Sequence, residues 1–114
     1  MPFIETKLSI KLDEKEKDNL QAKLSDITAD AFSKPKSFIM SEIEDNKSLY
    51  MNDKKLDKGA YISIKLFGTP SKSACQTLTK NICDILSKDY GIDSSKVYVT
   101  YHPVDLWGWN GSMF

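Results

Sequence analysis

The 114-residue sequence contains no arginine. Guanidinium is the preferred bidentate clamp for carboxylate and phosphate, so an anionic ligand would have to be held by lysine, hydroxyl or backbone N–H groups. Sixteen lysines balance sixteen acidic residues, which leaves no net field to draw in nucleic acid or an anionic membrane. Neither partner is expected. Cysteine is scarce, and Cys75 and Cys83 fall in one helical stretch, about 12 Å apart along the axis at 1.5 Å per residue. A disulfide needs its Cα atoms within roughly 7 Å, so these two cannot bridge each other. With no CxxC and a single histidine, His102, the usual zinc spacings are missing. His102 stands before Pro103 with no triad partner at motif spacing and reads as structural or solvated. A Gly-rich phosphate loop is also absent, and the sequence implies no cofactor and no metal. No apolar run has the form of a signal peptide or membrane span. The expected setting is reducing and cytoplasmic, with leaderless secretion left open.

What is present is an ordinary globular composition, long enough for one domain with a core. From Phe3 to Leu12, Ile4, Thr6, Leu8, Ile10 and Leu12 alternate with polar residues, the pattern of a half-buried strand. Asp13 and Glu16 have capping-box spacing. Leu20, Leu24, Ile27 and Ala31 then form the apolar stripe of a helix that Pro35 ends. Phe38 to Ile43 reads as a second strand. Residues 44–59 read as a polar surface loop, with a short strand or docking segment at Leu49 to Met51. Ala60 to Phe67 alternates again. Thr69 and Pro70 suit a helix cap and first helical position, and Leu78, Ile82, Ile85 and Leu86 continue that helix towards Gly91, placed for a left-handed end. Val97 to Tyr101 is dense in β-branched and aromatic residues, as a strand is. The tail from His102 to Phe114 holds both tryptophans.

The order βαβ followed by βαβ implies a duplication in architecture, about 1–57 and 58–114, within a single domain. Crossover connections place helices on a sheet face, and the expectation is an α/β two-layer sandwich with both helices on one face. The other face would carry Phe3, Phe38, Met40, Tyr61, Phe67, Tyr98 and Thr100. So large an apolar set argues for further copies of the same chain.

Pro2 follows the initiator methionine. If Met1 is removed, Pro2 carries a free secondary amine, whose unperturbed pKa is roughly 7.7 to 8.0 and which burial lowers. Such a group can act as a base near neutral pH. Lys34 follows the first helix, where a solvated lysine neutralises the helix C-terminus. Trp107 and Trp109 flank Gly108, suited to tail burial, subunit contact or ligand stacking. The mixed-sign runs around residues 14–17 and 53–55 read as solvated surface.

Pro2, the turn Ser33-Lys34-Pro35 leading to Phe38-Ile39-Met40-Ser41, the segment Lys96-Val97-Tyr98-Val99 and the ending Gly108-Trp109-Asn110-Gly111-Ser112-Met113-Phe114 stand at spacings that resemble the macrophage migration inhibitory factor family of the tautomerase superfamily. The resemblance spans the chain. It implies two βαβ units assembled as a homotrimer around a central channel, with active sites between subunits. It further implies cofactor-free keto–enol tautomerisation of 2-oxo acids, of phenylpyruvate or dopachrome type, with Pro2 as catalytic base. Lys34 would bind the substrate carboxylate or developing oxyanion. Phe67 and Trp107 would wall the pocket, and a neighbouring subunit would supply Tyr98 and Thr100. The alternative invited by the same resemblance is a cytokine-like binding or signalling protein with a vestigial pocket. Three positions depart from the family pattern. Gly59-Ala60-Tyr61-Ile62 replaces the CxxC of thiol-oxidoreductase members, Thr100 stands where asparagine is common, and Phe67 narrows a wall usually lined by a smaller aliphatic residue.

Overall fold

The N-terminal alternation becomes strand β1 (Pro2–Leu8) in a computed structural model that describes all 114 residues. Pro2, Ile4, Thr6 and Leu8 are buried and the residues between them only partly so, as in a sheet covered on one face. The strand ends sooner than the alternation through Leu12 suggests, because the backbone beyond Leu8 finds other partners. Ser9 Oγ accepts the Gly59 N–H at 2.7 Å, and the Leu8 and Ile10 carbonyls accept the Lys47 and Asn46 N–H groups at 2.9 and 2.8 Å.

Helix α1 (Glu14–Phe32) starts at the expected capping box: Asp13 Oδ1 accepts the Glu16 N–H at 2.7 Å and Glu16 Oε1 accepts the Asp13 N–H at 3.0 Å. At its end Ser33 is left-handed, with φ 52°, and the Lys34 N–H returns to the Ala29 carbonyl at 3.1 Å. This closure caps the last carbonyls and turns the chain before Pro35. Phe38 is not in a strand, as the sequence suggested. The Phe38 and Ile39 N–H groups close a 3₁₀ turn over Lys36–Phe38, on the Pro35 and Lys36 carbonyls at 3.1 and 3.0 Å, and β2 (Met40–Glu44) begins only afterwards.

The polar segment 44–59 holds a small hairpin of β3 (Tyr50–Met51) and β4 (Lys54–Lys55). Asn52 and Asp53 both take positive φ at its tip, the backbone of a two-residue turn that matches strand twist. Strand β5 (Ala60–Phe67) is as expected. Helix α2 (Lys72–Tyr90) starts later than the Thr69-Pro70 signal, because Ser71 is the cap and its Oγ accepts the Ala74 N–H at 3.0 Å. Gly91 ends α2 at φ 68°. Strand β6 (Val97–Val104) runs beyond Tyr101, and the tail folds into a hairpin of β7 (Gly108–Trp109) and β8 (Ser112–Met113).

The four long strands lie in the order β2-β1-β5-β6, parallel within each outer pair and antiparallel between β1 and β5. Ile4, Leu8, Ile62 and Ile64 meet Leu20 and Leu24 of α1 and Leu78, Ile82 and Leu86 of α2 in one core. Both helices therefore cover the same face, which gives the α/β two-layer sandwich. The opposite face has Met40, Phe3, Lys65 and His102 in one cross-strand row and Tyr61 beside Tyr98 in another. Met40 is 70% and Tyr98 66% exposed, while Phe3, Tyr61, Phe67 and Thr100 are half-buried. Neither helix is long and apolar enough to cross a membrane.

Candidate active site

Pro2 opens β1 opposite Leu66 of β5, and the strand's parity turns its ring inward, where it is buried. Two clefts lie at this end of the sheet. The larger, about 520 Å³, is walled by Met1, Pro2, Phe3, Phe38, Met40 and Trp107, with Trp109 and Lys65 also lining it. The other, about 340 Å³, is lined by Phe32, Ser33, Lys34, Phe67, Thr69 and Ser71 among others. Met1 stands between them: it lines the larger cleft, and its carbonyl accepts the N–H of Phe67 at 3.4 Å.

Aromatic side chains brace the mouth. Phe38 meets Trp109 edge-on at 5.3 Å, Trp109 stacks on Phe114 at 6.0 Å, and Phe114 lies 5.6 Å from Phe67. Such pairs add to the stabilisation from burial alone, and here they tie the C-terminal hairpin to the turn after α1 and the end of β5. The Phe114 N–H also donates to the Trp107 carbonyl at 3.0 Å. An apolar slot results beside the buried Pro2.

The electrostatics at that chain end shift its amine towards the neutral form. Burial pushes the Met1 amino group below its ordinary value, and the positive charge of Lys34 pushes it further the same way. Desolvation and a like charge both penalise the ammonium form. Lys34 has no carboxylate within ion-pair reach and lies past the left-handed end of α1, so its charge is available to a ligand.

The structure thus brings Pro2 and Trp107 into one cleft and Lys34 and Phe67 into the next. It does not bring Tyr98 or Thr100 to Pro2 within one chain. Tyr98 lines a separate small cleft with Tyr50, Met51 and Tyr61. Thr100 Oγ1 is hydrogen-bonded to Tyr61 Oη and to His102 Nε2, both at 2.8 Å. Phe38, Lys65 and Phe114 belong to the site region although the sequence did not single them out for it. Strand parity could have found Lys65, which pairs across the ladder with Phe3. The aromatic contacts depend on the tail hairpin and left no periodic trace. No group of three or more His, Cys, Asp or Glu side chains is arranged to hold a metal ion.

The model of the macrophage migration inhibitory factor (MIF) family matches residues 1–114. The chain is 30% identical over 100 residues, 85% of each protein, to macrophage migration inhibitory factor from Xenopus tropicalis. Its fold superposes on Leishmania major MIF2 with a TM-score of 0.91 at 29% identity, covering 100% of this chain and 97% of the other. Pt0534, solved after inactivation by 2-oxo-3-pentynoate, shares the fold with a TM-score of 0.85 at 13% identity, over 96% of this chain and 93% of its own.

Proposed function

Because this chain belongs to the macrophage migration inhibitory factor family, we propose that it is a cofactor-independent keto–enol tautomerase of 2-oxo acids, with Pro2 as catalytic base. The observation that carries the reading is the surroundings of the chain end: Pro2 is buried beside an apolar slot, and the Met1 amine next to it is lowered in pKa by desolvation and by the charge of Lys34. Loss of Met1 passes the terminal position to Pro2, which is already buried. A base whose pKa is close to the working pH is the most effective kind, and the proline ring fixes the direction of its nitrogen.

The chemistry needs no redox partner. The Pro2 nitrogen takes the proton from C3 of the 2-oxo acid, the C–H electron pair forms the C2–C3 double bond, and the carbonyl oxygen becomes an enolate. The same proton is then delivered to that oxygen to give the enol, and the reverse sequence gives the ketone. Lys34 supplies positive charge for the carboxylate or the enolate oxygen. A second donor comes from the backbone. The Phe67 N–H meets the carbonyl that is bonded to the Pro2 nitrogen, so departure of Met1 leaves this N–H aimed at the space beside the amine. Fixed donors at the site of developing charge act strongly where water is excluded.

The reading includes a homotrimer. The apolar sheet face, with Met40 and Tyr98 largely exposed, is uncovered in one chain, and a neighbouring copy is the source that would carry Tyr98 and Thr100 to the seam at Pro2. The site is incomplete without that copy.

The pH dependence of phenylpyruvate ketonisation tests the proposal. The neutral amine is the active form, so kcat/KM falls as pH drops through the Pro2 pKa. Burial and Lys34 both lower the pKa of the Met1 amine, and with Pro2 at the terminus in the same surroundings the midpoint of the acid limb is expected below the ordinary α-amino range of roughly 7.7 to 8.0. A midpoint within or above that range contradicts the arrangement.

A further inference from the structure

The larger cleft contains one charged side chain, and it is not Lys34. Lys65 lines it together with Pro2, Phe3, Phe38, Trp107 and Trp109. Strand register explains the placement: Lys65 on β5 lies directly across from Phe3 on β1, and Phe3 lies across from Met40 on β2. The three side chains share the uncovered sheet face, with the lysine at one end of an apolar row.

The Lys65 ammonium is poorly neutralised. Its one carboxylate contact is Glu5 Oε1 at 4.0 Å, and the lysine side chain is half-exposed. That separation is too long for a hydrogen bond, and exposed pairs of this kind contribute little. On the other side its register partner is His102, which is hydrogen-bonded to Thr100 and supplies no negative charge. A cation at the edge of an apolar, aromatic trough suits a ligand with an apolar body and an anionic tip.

Two cations therefore flank Pro2 in different clefts, Lys34 in the smaller and Lys65 in the larger. We propose that Lys65 is a second anion-binding residue of this site, selecting 2-oxo acids whose far end carries a carboxylate of its own. The assignment rests on the tautomerase reading for the orientation of the ligand. The 2-oxo acid end lies towards Lys34 and the Phe67 N–H, the body lies along Phe38, Trp107 and Trp109, and the distal carboxylate reaches Lys65. Lys65 thus sets specificity and takes no part in proton transfer.

The test uses two unreactive ligands that differ only at the far end, cinnamate and 4-carboxycinnamate, with binding followed through the fluorescence of Trp107 and Trp109. The wild-type protein is expected to bind 4-carboxycinnamate roughly fivefold more tightly than cinnamate, as suits a partly exposed charge-assisted contact. Lys65→Gln should remove the preference and leave cinnamate affinity within about twofold, whereas Lys65→Arg should retain it. In wild type the preference should shrink in about 0.5 M salt, where screening is stronger. Lys34→Gln should weaken both ligands alike. Equal binding of the two ligands by wild type overturns the assignment, as does a preference that survives Lys65→Gln, or no binding of either ligand. Failure of the tautomerase reading shows separately, as absence of phenylpyruvate turnover, and leaves the binding comparison intact.

Discussion

Pro2→Gly is expected to lower kcat/KM for phenylpyruvate by roughly 10²-fold, within the range that a positioned general base contributes, while the protein stays folded. Glycine still presents an amine after Met1 is removed, which keeps the loss below that for deleting the base outright. What is lost is the fixed orientation of the nitrogen and the ring's packing against the apolar slot. Pro2 is a single buried residue at the open end of β1, and the core built on Ile4, Leu20, Ile62 and Ile82 does not depend on its ring. Circular dichroism and the thermal midpoint check folding in the same samples. Unchanged turnover would show that neither the proline ring nor the direction it gives the nitrogen contributes to the base. A wild-type protein without turnover favours a binding role with a vestigial pocket.

Lys34→Gln is the second large effect, a loss of about 10- to 100-fold in kcat/KM. Removing one donor from a developing oxyanion costs about 10² to 10³ in rate, and here the Phe67 N–H remains to carry part of the charge. The pH profile separates this role from a structural one. The Lys34 charge is one of the two causes that lower the Met1 amine's pKa, and the same charge acts on a Pro2 amine after Met1 is removed, so the Lys34→Gln substitution should move the acid limb to higher pH. Lys34→Arg keeps the charge and should leave the limb near its wild-type position. If Lys34→Gln lowers the rate without moving the limb, the lysine does not act on the base.

The core was legible because it is periodic. Alternation along β1 and β5 and the stripes of α1 and α2 name nearly every residue that meets in the interior, and the Asp13–Glu16 box and Gly91 mark helix ends through local hydrogen bonding. Element ends fall away from the expected residues where two local signals compete. Thr69-Pro70 and Ser71 are all plausible helix starts, and the choice fell to the hydroxyl that reaches the Ala74 N–H. Phe38 has strand-like composition but spends its N–H on the Pro35 carbonyl. The site was harder to read because it is assembled from distant segments. Pro2, Lys34, Phe67 and Trp107 could be nominated by position and resemblance, but the Phe38–Trp109–Phe114–Phe67 chain depends on how the C-terminal tail folds back. Tyr98 and Thr100 sit on a sheet face that a single chain leaves open, so no property of one copy brings them to Pro2.

The most direct test of the central claim is the mass of the protein before and after incubation with 2-oxo-3-pentynoate. An unprotonated Pro2 amine should add to the alkyne carbon β to the ketone, forming an N–C bond while the amine proton ends on the carbon α to the ketone, so the reagent's full mass is gained. The account predicts a starting mass lacking Met1, one reagent molecule per chain after incubation, and its location on Pro2 in the N-terminal peptide. Protection by phenylpyruvate should slow the labelling. Retention of Met1, or labelling confined to lysines with Pro2 unmodified, would contradict it.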